Sequence, residues 1–244
     1  MTTPHQAQPQ QVLPFQAVLF DLDGVLVDSE MLANRVWVDL LTQHGLVISH
    51  ADFLDRSVGL SLGALYLRLE SEFGWTRPEG FEALSDAALS ASFASVTQVP
   101  GALQTLEALT RAALPFAVAS NSRRDRLDLK LQVAGLSGAV QHTFDPAQVG
   151  GRGKPLPDLY EYAAAQLGAD IRRCLVIEDS PTGVQAGVAA GATVWGLLAG
   201  EHVHDALGKQ LLAAGAARLV HSHVALVTAL GLTPAPATSL PSGP

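Results

Sequence analysis

Two short acidic stretches could carry group-transfer chemistry. Asp21-Leu22-Asp23-Gly24 sets two carboxylates two residues apart at the end of an apolar run, and Glu178-Asp179-Ser180 closes another. One acid of such a pair can attack an electrophile while the other moves protons, provided a cation keeps the site's own charge from repelling an anionic substrate. The four acids together form a hard-oxygen set suited to Mg²⁺, which takes a few carboxylates plus water and substrate phosphate. Gly24 permits a backbone angle or close approach that a side chain would block. Ser120-Asn121 ends a third apolar run and suits an anion or, equally, a helix cap. Lys154 follows Gly150-Gly151-Arg152-Gly153 and is one of three lysines, with Lys130 and Lys209, against twelve arginines. A compact ammonium is what an aspartyl-phosphate chemistry needs between nucleophile and phosphoryl group. Singly, an Asp-x-Asp reads as a turn and a lone Lys as a surface residue. Their combination at the ends of strand-like runs shifts the balance.

Those runs are Ala17 to Phe20, Phe116 to Ala119 and Cys174 to Ile177, short and wholly apolar as buried parallel strands are. Weaker runs at Thr193 to Leu198 and Ala217 to Val220 supply further strands. Between them, Leu103, Leu106, Leu109 and Ala113 recur at helical spacing, Asp125 to Ala134 stops before Gly135, and Pro157-Asp158-Leu159 opens another helix. Strand then helix, repeated, predicts an α/β fold with a doubly wound parallel sheet, whose ligands bind beyond the carboxyl ends of the strands. Residues 30–97 break the rhythm, because Met31 to Gly45 and Leu60 to Phe73 have helical period with no strand between them. This predicts a helical cap (30–97) inserted into a core (15–29 and 98–232) and placed to cover the site. Residues 1–14, rich in Gln and Pro, and 233–244, rich in Pro, read as flexible tails.

The chain has 244 residues, 48% apolar and 16% charged, with a net charge of −8. That suits one globular unit with an accessory domain, and an acidic balance without a basic run disfavours nucleic acid or a polybasic membrane patch. Cys174 is the only cysteine, which excludes an intramolecular disulfide and a cysteine zinc cage. His202/His204 and His221/His223 lack carboxylates at metal-ligand spacing and read as surface residues. No stretch has the length of a membrane span and the start lacks a signal-peptide pattern, so a soluble cytoplasmic protein is expected. Dinucleotide, Walker and Gly-x-Ser-x-Gly motifs are missing.

In this order, Phe20-Asp21-Leu22-Asp23-Gly24-Val25, Ala119-Ser120-Asn121, Lys154-Pro155-Leu156-Pro157-Asp158 and Glu178-Asp179-Ser180-Pro181-Thr182-Gly183 resemble the four signature motifs of the haloacid dehalogenase superfamily, over roughly residues 15–230. The resemblance implies a Rossmann-like core with a mobile cap. By it, Asp21 is the phosphoryl-accepting nucleophile and Asp23 the general acid/base. Ser120, with the backbone around Asn121, binds the phosphoryl group, Lys154 neutralises charge, and Asp179 with Glu178 joins Asp21 and the Asp23 carbonyl around Mg²⁺. Members acting on carbon–halogen bonds do without the second aspartate, so Asp23 points to phosphoryl transfer. Val25-Leu26-Val27-Asp28-Ser29-Glu30 is similar to the branch holding β-phosphoglucomutase and small phosphosugar phosphatases. The whole pattern looks most like phosphatases of the 6-phosphogluconate phosphatase type, implying a small phosphorylated metabolite, a sugar phosphate or sugar-acid phosphate, as substrate. A phosphosugar mutase is the alternative. Mutases of this branch carry a His aligned with about Ala33 and an Arg aligned with Leu62, and both are replaced here. Arg56, Arg68 and Ser61 are cap candidates for specificity. A non-catalytic phosphometabolite-binding module is the alternative of another class, disfavoured because binding alone needs no paired nucleophile and proton carrier.

Overall fold

Ala17–Phe20 forms β1, with every residue fully buried, as the centre of a parallel sheet covered on both faces requires. The computed structural model describes residues 14–57 and 62–233. The expected tails therefore lie almost wholly outside the described residues, and Ser61 lies outside them too. After β1 the chain forms α1 (Glu30–Gln43), α2 (His50–Ser57), α3 (Leu62–Phe73) and α4 (Phe81–Ser92), then returns through a 3-10 turn at Phe93–Ser95. There follow α5 (Ala102–Arg111), β2 (Phe116–Ala119), α6 (Arg124–Val133), β3 (Thr143–Phe144), α7 (Asp158–Gln166) and β4 (Cys174–Glu178). The chain closes with α8 (Pro181–Ala189), β5 (Thr193–Leu197), α9 (Leu207–Ala214), β6 (Arg218–Val220) and α10 (His223–Ala229).

The six strands are all parallel, in the order β3-β2-β1-β4-β5-β6. Strand residues alternate between two cores. Val18, Phe20, Val118 and Ile177 pack with Leu106 of α5, Leu127 of α6 and Leu226 of α10. Leu19, Ala117 and Val176 pack on the other face with Leu159 of α7, Val184 of α8 and Leu211 of α9. The direction of winding changes between β1 and β4, which opens a crevice beyond their carboxyl ends. The doubly wound α/β reading is correct. The two-residue β3 was not anticipated, being too short to show a pattern.

The cap helices enclose their own core of Trp37, Leu41, Phe53, Tyr66, Leu69 and Phe81, with the Trp37 and Phe53 rings stacked 5.8 Å apart. The two linkers run side by side: Asp28 N–H donates to Thr97 O at 2.8 Å and Val99 N–H to Leu26 O at 2.9 Å. Two arginines of α6 and the turn before it tie the cap to the core. Arg126 reaches Asp86 at 2.7 Å and Ser90 at 3.0 Å, and Arg123 reaches Asp86 at 3.2 Å, both acceptors lying on α4. Among the described residues no helix is long and apolar enough to cross a membrane.

Two histidine expectations need correction. His202 and His223 are buried rather than on the surface. His223 Nε2 donates to Val25 O at 2.8 Å, leaving Nδ1 to accept from Thr105 Oγ1 at 3.0 Å. Burial pushes its pKa down to about 4, against the Val25 hydrogen bond. His202 lies with its Nε2 2.9 Å from Asp179 Oδ2. Spacing along the chain could not separate these two from His221, which is exposed.

Candidate active site

Asp21 follows the last residue of β1, and its N–H donates to Ile177 O of the neighbouring strand. The residue thus stands at the crevice beside β4, and it is buried. Glu178 is the last residue of β4 and Asp179 follows it, while Ser180 starts α8 by accepting from Gly183 N–H at 3.1 Å, with Pro181 in the first turn. Asp21, Glu178 and Asp179 each bring a carboxylate oxygen within 4.8 Å of the others, all three buried. Two glycines make the crowding possible. A Cβ on Gly24, whose φ is +74°, would lie 1.8 Å from Asp179 Oδ2, and one on Gly183 would lie 1.7 Å from Glu178 Oε1.

Lys154 completes this corner. Its Nζ donates to Asp21 Oδ1 and, at 2.7 Å, to Glu178 Oε1. The loop bearing it is held by Asn121, whose Oδ1 accepts from Lys154 N–H at 2.8 Å and whose Nδ2 donates to Lys154 O at 3.0 Å. The side chain of Asn121 is spent on the lysine loop, and the backbone around it, which the resemblance assigns to the phosphoryl group, is left for that task. Glu178 is heavily used as well. Oε1 accepts from Lys154 and from Tyr160 O–H at 2.7 Å, and Oε2 accepts from Ser180 Oγ at 3.0 Å and the Asp179 N–H at 3.2 Å. The open lone pairs of the corner therefore belong mainly to Asp21 and Asp179.

Asp23, placed with the other acids in the expected metal site, turns its carboxylate elsewhere and is not in the three-acid cluster. Its Oδ1 accepts from Ser29 Oγ and from Lys130 Nζ at 2.5 Å, and its Oδ2 accepts from Ser122 Oγ at 2.9 Å. Only its backbone carbonyl is left for the metal role the resemblance implied. Lys130 was noted in the sequence only as a scarce residue. It comes from the last turn of α6, a helix with almost no amphipathic signal, so nothing local marked it as facing the site. Ser120 Oγ accepts from the Ser122 N–H at 3.1 Å, so this N–H is not free for an anion, while the hydroxyl keeps its own proton to donate.

The two acids next to Gly24 differ electrostatically. Burial raises Asp21 well above the usual carboxylate range, with Glu178, Asp179 and Asp23 adding to the effect and Lys154 opposing it. Asp179 is likewise raised by burial, against the pull of His202, whose own pKa burial lowers but Asp179 raises on balance. Burial also works against the Asp23 carboxylate, but the Lys130 ammonium and hydrogen bonds from Lys130, Ser29 and Ser122 hold it below the usual range. The Lys154 ammonium overcomes burial through Asp21 and Glu178.

These groups floor a cavity of 660 Å³ between core and cap. Its cap wall includes Ala33, Asn34, Trp37, Phe53, Leu62 and Leu65. Arg56 and Arg68 are not on this wall; each pairs with Glu72 at 2.9 Å on the outside of the cap.

The haloacid dehalogenase-like hydrolase family matches residues 15–191. The chain belongs to that family. It is 33% identical to hexitol phosphatase A of Escherichia coli (strain K12) over 72% of this chain and 80% of that protein. It is 28% identical to the 6-phosphogluconate phosphatase of the same organism over 77% of this chain and 84% of the relative. A crystal structure of a HAD family hydrolase from Deinococcus radiodurans R1, with bound phosphate and sodium, superposes with a TM-score of 0.81 at 46% identity, covering 91% of this chain and all of that one. The protein is a phosphatase of the haloacid dehalogenase-like family.

Proposed function

We propose that the protein is a Mg²⁺-dependent phosphomonoesterase of the cytoplasm that hydrolyses a small phosphorylated metabolite, a sugar phosphate or sugar-acid phosphate such as 6-phosphogluconate, through an aspartyl-phosphate. The carrying observation is the convergence of Asp21, Ser120, Lys154 and Asp179, from four separate stretches of chain, on the floor of one cavity. The three-acid corner fits a hard divalent cation, because three buried carboxylates face a single ammonium and all their donors are oxygens. Asp21, Asp179 and the Asp23 carbonyl would hold Mg²⁺, with Glu178 at its edge; bound there, it would offset charge on the phosphoryl oxygens. That the Deinococcus relative binds phosphate and sodium supports a site able to take an anion and a cation.

Asp21 is the nucleophile in this reading. Lys154 withholds no lone pair from it beyond the one on Oδ1 and keeps charge balanced as the phosphoryl group arrives. The Ser120 hydroxyl and the Asn121 backbone grip that group. Asp23 protonates the leaving oxygen and later takes a proton from the water that cleaves the aspartyl phosphate. Ala33 and Leu62 both line the cavity, so neither an imidazole nor a guanidinium reaches it from the positions where mutases of this branch supply them. That weighs for hydrolysis over phosphosugar transfer. A net charge of −8 gives no support to a nucleic-acid partner.

The test is phosphate release from a panel of sugar phosphates and sugar-acid phosphates with Mg²⁺ or with chelator, in the wild type and Asp21→Asn. Release is expected only from the wild type with Mg²⁺, the variant losing at least about 10³-fold. Chelator-resistant turnover, or an active Asp21→Asn, would overturn the mechanism.

A further inference from the structure

The buried ammonium of Lys130 has no part in the four-motif assignment, yet it touches the proposed proton carrier directly. Lys130 is 4% exposed, and its Nζ lies 2.5 Å from Asp23 Oδ1 and 3.0 Å from Ser122 Oγ. On its other side the ammonium sits over the Phe93 ring, 4.2 Å from the centroid, where the chain returns from the cap. A lysine so enclosed is not a surface residue with a convenient partner; holding it there costs desolvation that only specific contacts offset. The contacts are also unequal between the two carboxylate oxygens. Oδ1 receives both Ser29 and Lys130, which fills its two lone pairs, while Oδ2 receives Ser122 alone and keeps one lone pair open. Asp23 and Lys130 both line the cavity.

We propose that Lys130 is a positioning residue of the active site: with Ser29 it saturates Oδ1 of Asp23, so that Oδ2, braced by Ser122, is the atom that exchanges the proton with the leaving oxygen. The inference rests on the phosphatase reading and on Asp23 as its acid/base. In the first step an Asp21 carboxylate oxygen bonds to phosphorus as the P–O bond to the leaving group breaks, and the departing oxygen takes the proton from Oδ2. In the second, water loses a proton to the same oxygen as its own oxygen bonds to phosphorus and the bond from phosphorus to the Asp21 oxygen breaks, which frees inorganic phosphate and restores the starting state. Without the Lys130 contact, Oδ1 regains a lone pair and the carboxylate can turn about its Cβ–Cγ bond, so the proton is no longer aimed.

Such a role predicts dependence on the leaving group. A sugar alkoxide needs the proton in order to leave, whereas p-nitrophenolate departs without it. Lys130→Met, which keeps an apolar stem against Phe93, is expected to lower kcat for a responsive sugar phosphate at least about tenfold more than kcat for p-nitrophenyl phosphate, with KM for both changed by less than about threefold. Ser122→Ala is expected to show the same selectivity at about threefold, and it carries the test if Lys130→Met does not fold. Equal losses on the two substrates, or none, would overturn the positioning role. A wild-type protein that releases phosphate from neither substrate with Mg²⁺ overturns the phosphatase reading itself, and with it this inference, which keeps the two failures distinguishable.

Discussion

The site is built as two corners around one turn, each with a lysine, and they are balanced differently. At the Lys154 corner three buried carboxylates, Asp21, Glu178 and Asp179, share a single ammonium. At the Lys130 corner one carboxylate, Asp23, receives one ammonium and two hydroxyls. The first is short of positive charge and the second is complete. Burial raises the pKa values of Asp21 and Asp179, and repulsion between the gathered carboxylates adds to it, whereas the Lys130 ammonium and three hydrogen bonds hold Asp23 low against the same burial. A corner left unbalanced is where a further cation belongs. A balanced one is where a group must keep its orientation through both halves of a reaction.

The contrast is broken most severely by removing the only ammonium among the described residues of the poorer corner. Lys154→Met leaves three buried carboxylates without an ammonium and is expected to cost about 3–5 kcal/mol in chelator, measured by denaturant unfolding, with part of the loss returned by Mg²⁺. A stability equal to that of the wild type in chelator would mean that the corner is not short of charge.

Adding cation sharpens the same contrast. Mg²⁺ at about 100 times its Kd is expected to stabilise the wild type by about 2.7 kcal/mol, read as a rise in Tm. Asp179→Asn should lose most of that rise and Asp23→Asn should keep it, since the second substitution leaves the backbone carbonyl in place. The reverse pattern would place the metal at the wrong corner.

The smallest effect is the pH dependence of the metal-free protein. Asp21 and Asp179 have folded pKa values above their unfolded ones, so their contribution is fully present below about pH 4 and is lost as pH rises through the folded values. Asp23 runs the other way: its contribution is present above about pH 4 and is lost as pH falls through its depressed value. Above pH 4 in chelator each raised group should therefore withdraw at most about 1.4 kcal/mol per pH unit, set against the buried His223, whose lowered pKa adds stability from about pH 4 to its unfolded value. Relative to Asp179→Asn the wild type should lose stability as pH rises, and saturating Mg²⁺ should flatten that difference. A series of thermal melts from pH 4 to 8, with and without Mg²⁺, reads this directly.

What could be read from the sequence follows the same division. The Lys154 corner is assembled from residues at the ends of strands, and a buried parallel strand announces itself as an apolar run that stops at a polar residue. Asp21, Ser120, Glu178 and Asp179 were legible for that reason, and Lys154 through its place in a motif. The Lys130 corner draws on a serine in a linker, a serine in a turn and a lysine within a helix, and no local pattern tells which face of α6 turns inward. His202 escaped for a similar reason. It reaches Asp179 from a loop more than twenty residues further along the chain, a pairing made only by the sheet. The backbone around Asn121 was placed at the phosphoryl group by resemblance, but no pattern in the sequence showed that the two polar atoms of its side chain are matched to the backbone of Lys154. Helical period was visible along Met31 to Gly45, where α1 lies, but the aromatic interior that Trp37, Phe53, Tyr66 and Phe81 make is a property of four helices at once.

The two linkers, hydrogen-bonded side by side between Asp28 and Thr97 and between Leu26 and Val99, have an evolutionary consequence. Because the chain leaves and re-enters the sheet at one place, the segment between can be lengthened, shortened or exchanged without moving Asp21 or Asp23. Selection for a new substrate can therefore work on an insert whose length the catalytic floor does not constrain, and the reaction can be inherited unchanged while its clientele turns over.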